Sequence, residues 1–260
     1  MKWIQWILLT AVTGNPIVSL AILLVAWWLV DRFTLGILPD PFRFLRRWTR
    51  ASQLRRTLSL NPNDRRARLE LAMLLVERRA YKDSIDVLKP NLEAGDEDAT
   101  TLFVMGVACL GAGHTEQGEL LLDEAEARDG YFRMGDIHLE RGRWRLRRGD
   151  AQGALAPLRK LCDMRPGTVE GKVLLAQAHE RLGDAETARM ARQNAWNDYA
   201  ASPRYQRRRD RWWGWRAKPS RPLTYAAVAL VCGLVLTQFV APAVQQAVNE
   251  DPNSMSQWEP

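Results

Sequence analysis

Residues 71–80 read LAMLLVERRA, 105–114 read MGVACLGAGH, 141–150 read RGRWRLRRGD and 175–184 read LAQAHERLGD. Aligned, three segments open on a paired large–small step, Leu71–Ala72, Met105–Gly106 and Leu175–Ala176, while the third unit departs, with Arg141–Gly142. Each segment then reaches a turn residue at its ninth position: Arg79, Gly113, Gly149, Gly183. Successive turn residues are 34, 36 and 34 positions apart. Five positions after each turn comes a small residue (Ser84, Gly118, Ala154, Ala188), and four later a bulky one (Leu88, Leu122, Leu158, with Arg192 in the fourth). A period of this length, with small residues where helices cross, marks a stack of helical pairs. Two antiparallel helices cannot bury both faces alone, so each pair packs on the next. Glycine at the turn suits a helix that ends in a left-handed conformation. Pro62 and Pro166 stand just before new units, where one helix ends and the next begins.

These steps and turns, with Tyr81 after the first turn and Asn61-Pro62-Asn63-Asp64 before the first unit, make residues 65–198 resemble the tetratricopeptide repeat family. The resemblance implies an all-α, right-handed solenoid of helical hairpins. Units 65–98 and 169–202 follow the pattern well. In the second unit Gly130 stands where the family has proline, and in the third Arg141 and Arg145 occupy places normally apolar, which weakens the expected packing of its first helix. Phe44–Leu60 reads as a lone cap helix ahead of the first unit. Strand-like alternation is nearly absent, and Leu, Ala, Arg and Glu dominate, so the class is all-α.

The net charge of +7 is unevenly placed. Residues 31–56 carry +5 and residues 204–221 carry +7, while the interval 57–203 carries −3. Both basic flanks adjoin uncharged stretches. Residues 3–30 contain no charge, and Gly14-Asn15-Pro16 interrupts them. About 20 apolar residues span the hydrocarbon layer, so Ile7–Val30 suffices, kinked at Pro16. A cleaved signal peptide is the competing reading. Its small residues, Ser19-Leu20-Ala21, lie inside the apolar run, and only Lys2 precedes them. Leu223–Val244 is the second expected span, inside the uncharged stretch from Pro222 to Asn249. Trp27 and Trp28 suit a membrane interface, as do Trp212, Trp213 and Trp215 before the second span. Ala229, Gly233 and Thr237 recur every four residues, a smooth stripe that permits span packing and a homo-oligomer.

Lys and Arg accumulate on the cytoplasmic side of spans. The arginines that follow the first span and those that precede the second face the same loop, the one holding the repeats. The expected location is therefore integral to the cytoplasmic membrane, with the repeats in the cytoplasm and both termini outside it. The basic residues hug the spans and so point to anionic membrane lipids, not to nucleic acid. Arg outnumbers Lys 31 to 6, which hints at a GC-rich bacterial genome.

No catalytic constellation is legible. His114, His138 and His179 fall at different points of their units, and Cys109, Cys162 and Cys232 are far apart. No metal, cofactor or reaction is expected. The resemblance implies that first helices line a groove for a peptide or a partner helix. Mapped here, that face comprises Arg66, Leu69 and Met73, then Thr100, Phe103, Val107 and Leu110, then Asp136, Leu139 and Arg143, then Glu170, Val173, Gln177 and Glu180. Its front half is apolar and its rear half charged, which suits an amphipathic helix. The cap helix is a competing occupant of the apolar half.

The expected organisation is a transmembrane anchor (1–31), a basic segment with cap helix (32–64), the repeat domain (65–202), a basic and aromatic segment (203–222), a second transmembrane helix (223–246) and a polar tail (247–260). The function expected is an adaptor that positions a partner protein at the membrane. The alternatives are an envelope-side assembly factor and a non-catalytic subunit of a membrane enzyme.

Overall fold

The computed structural model describes residues 41–220 together with Leu223, Thr224 and Ala227. Both expected spans, apart from those last three residues, lie outside the described residues. So do Trp27, Trp28, Cys232 and the stripe Ala229, Gly233 and Thr237. Among the described residues no helix is long and apolar enough to cross a membrane.

The described residues that carry regular structure are all helical. A first helix, α1 (Pro41–Leu60), precedes four hairpins: α2 (Arg65–Glu77) with α3 (Tyr81–Glu93), α4 (Ala99–Ala112) with α5 (Thr115–Arg128), α6 (Asp136–Arg147) with α7 (Ala151–Met164), and α8 (Val169–Arg181) with α9 (Ala185–Ala201). Two short helices follow, α10 (Arg204–Arg209) and α11 (Arg211–Ala217). Residues 40–218 form one compact unit, wider at both ends than the repeat interval 65–202.

The local chemistry of each hairpin explains its boundaries. Asp64, Asp98, Asp150, Thr168 and Asp184 each accept a backbone N–H of the first turn they precede, at 2.9, 3.0, 2.7, 3.2 and 3.1 Å. Such caps satisfy amide groups that a helix start leaves without partners. Within every hairpin the turn residue is left-handed: Arg79 at φ +62°, Gly113 at +97°, Gly149 at +86° and Gly183 at +83°. The four sites aligned by spacing are thus one backbone conformation used four times.

The small residues sit where the alignment puts them. Ser84, Gly118, Ala154 and Ala188 are buried, as are Leu88, Leu122 and Leu158. A Cβ on Gly142 would stand 2.4 Å from the Leu158 side chain, so the buried leucine or the helix would have to shift to admit one. Arg192 replaces the bulky apolar residue in the fourth hairpin. Its stem is half-buried, and its guanidinium reaches Glu180.

The 36-residue spacing has a local cause. Between α5 and α6 the chain makes a 3-10 turn at Phe132–Met134, with Arg133, Met134 and Gly135 all at positive φ. The turn buries Phe132 and takes up the extra residues without disturbing either hairpin.

The third unit corrects the expectation that Arg141 and Arg145 weaken the packing of its first helix. Arg141 is only 9% exposed, yet it is fully partnered by the preceding hairpin. It donates to Glu119 at 2.9 Å, to Glu126 at 2.8 Å and to Asp123. Arg145 donates to Glu119 at 3.1 Å and to the Gly153 carbonyl at 3.0 Å. Ion pairs from α6 to α5 thus accompany the apolar contacts of Ile137 and Trp144 with the second-hairpin core.

Candidate partner-binding face

The expected groove residues are spaced three or four apart along α2, α4, α6 and α8, which puts those of each helix on one side. They fall into three environments. Leu69 and Met73 are half-buried against a cluster of Ala72, Leu88, Val104, Met105 and Cys109. Phe103 belongs to that cluster and also to the next, where Val107 and Trp144 join it over Leu102, Leu110, Leu122 and Phe132. Leu69, Met73, Phe103, Val107 and Trp144 therefore make a series of half-exposed apolar groups spanning three hairpins. Arg66 is exposed at its front end.

Leu110 does not belong to this series. It is 2% exposed and packs so closely on Gly118 that a Cβ there would meet it at 2.7 Å. Leu139 and Val173 are likewise core residues. Sequence spacing assigned them to the groove because it fixes a helix face without saying how far a neighbouring helix covers it.

The rear of the face is polar and already paired. Arg143 bonds both Glu140 and Glu170, side chains from its own helix and the next first helix. Burial works against the Arg143 charge, but Glu140 and Glu170 hold its guanidinium above its ordinary value. Glu170 is pushed up by burial, which outweighs the pull of Arg143, and Glu140 and Asp210 add to the rise. Gln177 is half-buried further along. Asp136 accepts from Arg165 at 2.8 Å, and Glu180 pairs with Arg192.

Two aromatic groups went unrecognised in the sequence. Phe132 lies in the irregular link and stacks near Phe103, ring centroids 4.9 Å apart. Trp144 stands inside a run of arginines next to Arg143, and its Nε1 is buried without a hydrogen-bond partner among the described residues. The signal for Trp144 was its isolation: an aromatic among charges on a groove helix.

The cap helix closes the end of the stack. Its Ala51 and Leu54 pack on Ala67, Leu71 and Leu75 of α2, and Arg50 grips Glu70 through two bonds of 2.6 and 2.7 Å. These contacts use a different side of α2 from Leu69 and Met73, which belong to a separate cluster. None of the described side chains of α1 belongs to the cluster of Leu69 and Met73.

The basic and aromatic segment is divided by the fold. Trp213 packs against two core clusters, one holding Leu139 and Leu174, the other Val173 and Ala195. Gly214 and Ala217 are buried beside it. Trp212 is 65% exposed, and Trp215 meets it edge-on at 5.3 Å. The Trp213–Gly214 step resembles those that open three of the aligned segments, so α11 has the place of a fifth first helix. No group of His, Cys, Asp and Glu suited to a metal occurs among the described residues. Burial pushes the Cys162 thiol up to about 11 and raises that of Cys109, so neither is a ready nucleophile.

Comparison with solved structures decides the architecture. A thermophilic TPR protein of Thermus thermophilus, TTC0263, superposes with a TM-score of 0.51 over 65% of this chain and 90% of its own, at 21% identity. The fold is that of the tetratricopeptide repeat. A crystal structure of MamA matches with a TM-score of 0.50 at 18% identity, covering 58% of this chain and 86% of the other. No protein-family profile matches the chain, and no curated protein matches it. The tetratricopeptide-repeat architecture accounts for the shared left-handed turns, the buried small residues and the face formed by first helices.

Proposed function

We propose that the chain is a membrane-integrated adaptor, which binds a partner protein on its first-helix face and holds it at the cytoplasmic side of the membrane. The observation that carries the binding role is the half-exposed apolar series Leu69, Met73, Phe103, Val107 and Trp144. These groups follow one another from hairpin to hairpin through two shared clusters, whereas more exposed apolar side chains such as Leu120, Leu182 and Met190 belong to no core cluster; an apolar series of this kind marks an interaction surface. The ion-paired rear, Arg143 with Glu140 and Glu170, supplies a polar end. An amphipathic helix matches both halves. Membrane integration is supported by the two uncharged stretches and by the arginines on the repeat side of each.

The test has two parts. Reporter fusions after Arg56, within residues 95–98 and after Val248 are expected to read cytoplasm, cytoplasm and exterior. An exterior signal from the repeats would move the protein to the envelope side and favour an assembly role there. Phe103→Glu is expected to remove partners captured by crosslinking in intact cells; because the ring also packs on two clusters, the loss is read only with a Tm showing that the domain is folded. An unchanged partner set would place binding elsewhere.

A further inference from the structure

We propose that the outer face of α10 and α11 is a docking surface for anionic lipid headgroups, built rigidly into the last half-repeat of the solenoid. The inference rests on the membrane reading above for the nearness of a bilayer, and it is independent of the partner face.

The inner side of α11 is fixed. Trp213, Gly214 and Ala217 pack on α8 and α9, and a Cβ on Gly214 would stand 2.7 Å from the Tyr199 ring. The Arg216 guanidinium lies over the Trp213 ring at 4.8 Å, and the Lys218 ammonium over Trp196 at 5.5 Å. What remains outside has one chemistry. The exposed side chains of α10 and α11 are Arg204, Tyr205, Arg208, Arg209, Trp212 and Arg216. Tyr205 is 76% exposed and Trp212 is 65% exposed. The sole acid in this stretch, Asp210, is half-buried and bonded by Arg209 at 3.3 Å. Four guanidinium groups interleaved with two amphipathic rings match the zone where phosphates meet acyl chains. A few residues later the chain enters the uncharged stretch from Pro222 to Asn249. That continuity favours lipid phosphate over other anions as the occupant.

The experiment uses the full chain with a benzophenone amino acid at position 212, reconstituted in nanodiscs of phosphatidylcholine alone or with roughly one third phosphatidylglycerol. A second chain carries the probe at Leu120, an exposed residue of α5. The expected result is lipid adducts at 212 but not at 120, favoured by phosphatidylglycerol. The combined variant Arg204→Gln, Arg208→Gln, Arg209→Gln and Arg216→Gln is expected to lower the yield about tenfold. Raised salt should reduce adducts in the unsubstituted chain, a readout that needs no variant to fold. Adducts at 212 no more frequent than at 120 would overturn the proposal, leaving the spans untouched. Adducts to a second copy of the chain would also overturn it and assign the face to self-association. Should the chain not integrate into bilayers, the adaptor reading fails by itself. Salt-sensitive co-sedimentation with phosphatidylglycerol vesicles then supports the surface, and its absence overturns it.

Discussion

Arg79 holds with a side chain the conformation that Gly113, Gly149 and Gly183 hold without one, at φ +62°. A left-handed residue with a Cβ costs roughly 1–2 kcal/mol, partly offset by the greater freedom glycine has when unfolded. Arg79→Gly is therefore expected to raise stability by about 1 kcal/mol, read as a higher urea midpoint, while Arg79→Ala keeps the strain and gains nothing. Equal midpoints for the two would show that this turn carries no strain. His138 gives a pH-dependent case. Burial lowers its pKa, and Arg141 and Lys160 add to the effect against the pull of Glu126, whose carboxylate lies 3.7 Å away. A histidine whose folded pKa lies below its unfolded value binds fewer protons when folded. Its contribution is complete above 6.5 and is lost as the pH falls through that value toward the folded one. Tm is expected to fall between neutral pH and pH about 5, less steeply in His138→Gln. Parallel slopes would mean that this imidazole is not the group being titrated. The turn residues were legible because a positive φ selects glycine again and again. The surroundings of His138 were not, because Glu126 and Lys160 come to it from other helices, and nothing in the local sequence names them.

At the scale of the element, α11 shows how a period can hide what it implies. Trp213–Gly214 is a large–small step, but it falls 38 residues after Leu175–Ala176, outside the repeat spacing, because the link after α9 contains α10. The tryptophans and arginines around it drew attention to membrane chemistry and away from packing. The irregular link before α6 had the same effect in reverse: Gly130 signalled a departure, but the burial of Phe132 had no counterpart in the spacing. Gly214 gives the direct test of how α11 is held. Its added Cβ would overlap Tyr199 of α9, so Gly214→Val should push α11 off the stack at a cost of about 1–3 kcal/mol. Limited proteolysis is the measurement: cleavage after Arg204, Arg207 or Arg208 is expected to quicken while α2 to α7 stay resistant. An unchanged cleavage rate would mean that α11 contributes little to closing the domain.

Across the described residues, the apolar clusters run in sequence along the stack, and an ion network centred on the buried Arg141 guanidinium reinforces one joint. Ala51 to Leu75 close the front, and Ala72, Leu88, Val104 and Met105 tie the first hairpin to the second. Leu146, Leu158, Leu161 and Leu174 tie the third to the fourth. Between the second and third, the apolar contribution of Phe132, Ile137 and Trp144 is joined by Arg141, which gathers Glu119, Asp123 and Glu126. Lys160 adds a further bond to Glu126 at 2.6 Å. Only the guanidinium is buried: Asp123 is 68% exposed, Glu119 keeps Arg145 and Glu126 keeps Lys160, so removing Arg141 is expected to cost about 1–3 kcal/mol, less than breaking a fully buried pair. Each hairpin touches chiefly its neighbours, so a loss at one joint divides the stack instead of weakening it evenly. Arg141→Ala is therefore expected to let α6 to α9 open at lower denaturant than α2 to α5. Hydrogen exchange would show amides of the rear hairpins losing protection first, where the unsubstituted protein loses both together. Equal loss of protection in the two halves would mean that Phe132, Ile137 and Trp144 hold the joint by themselves and that the arginine is carried there for another reason.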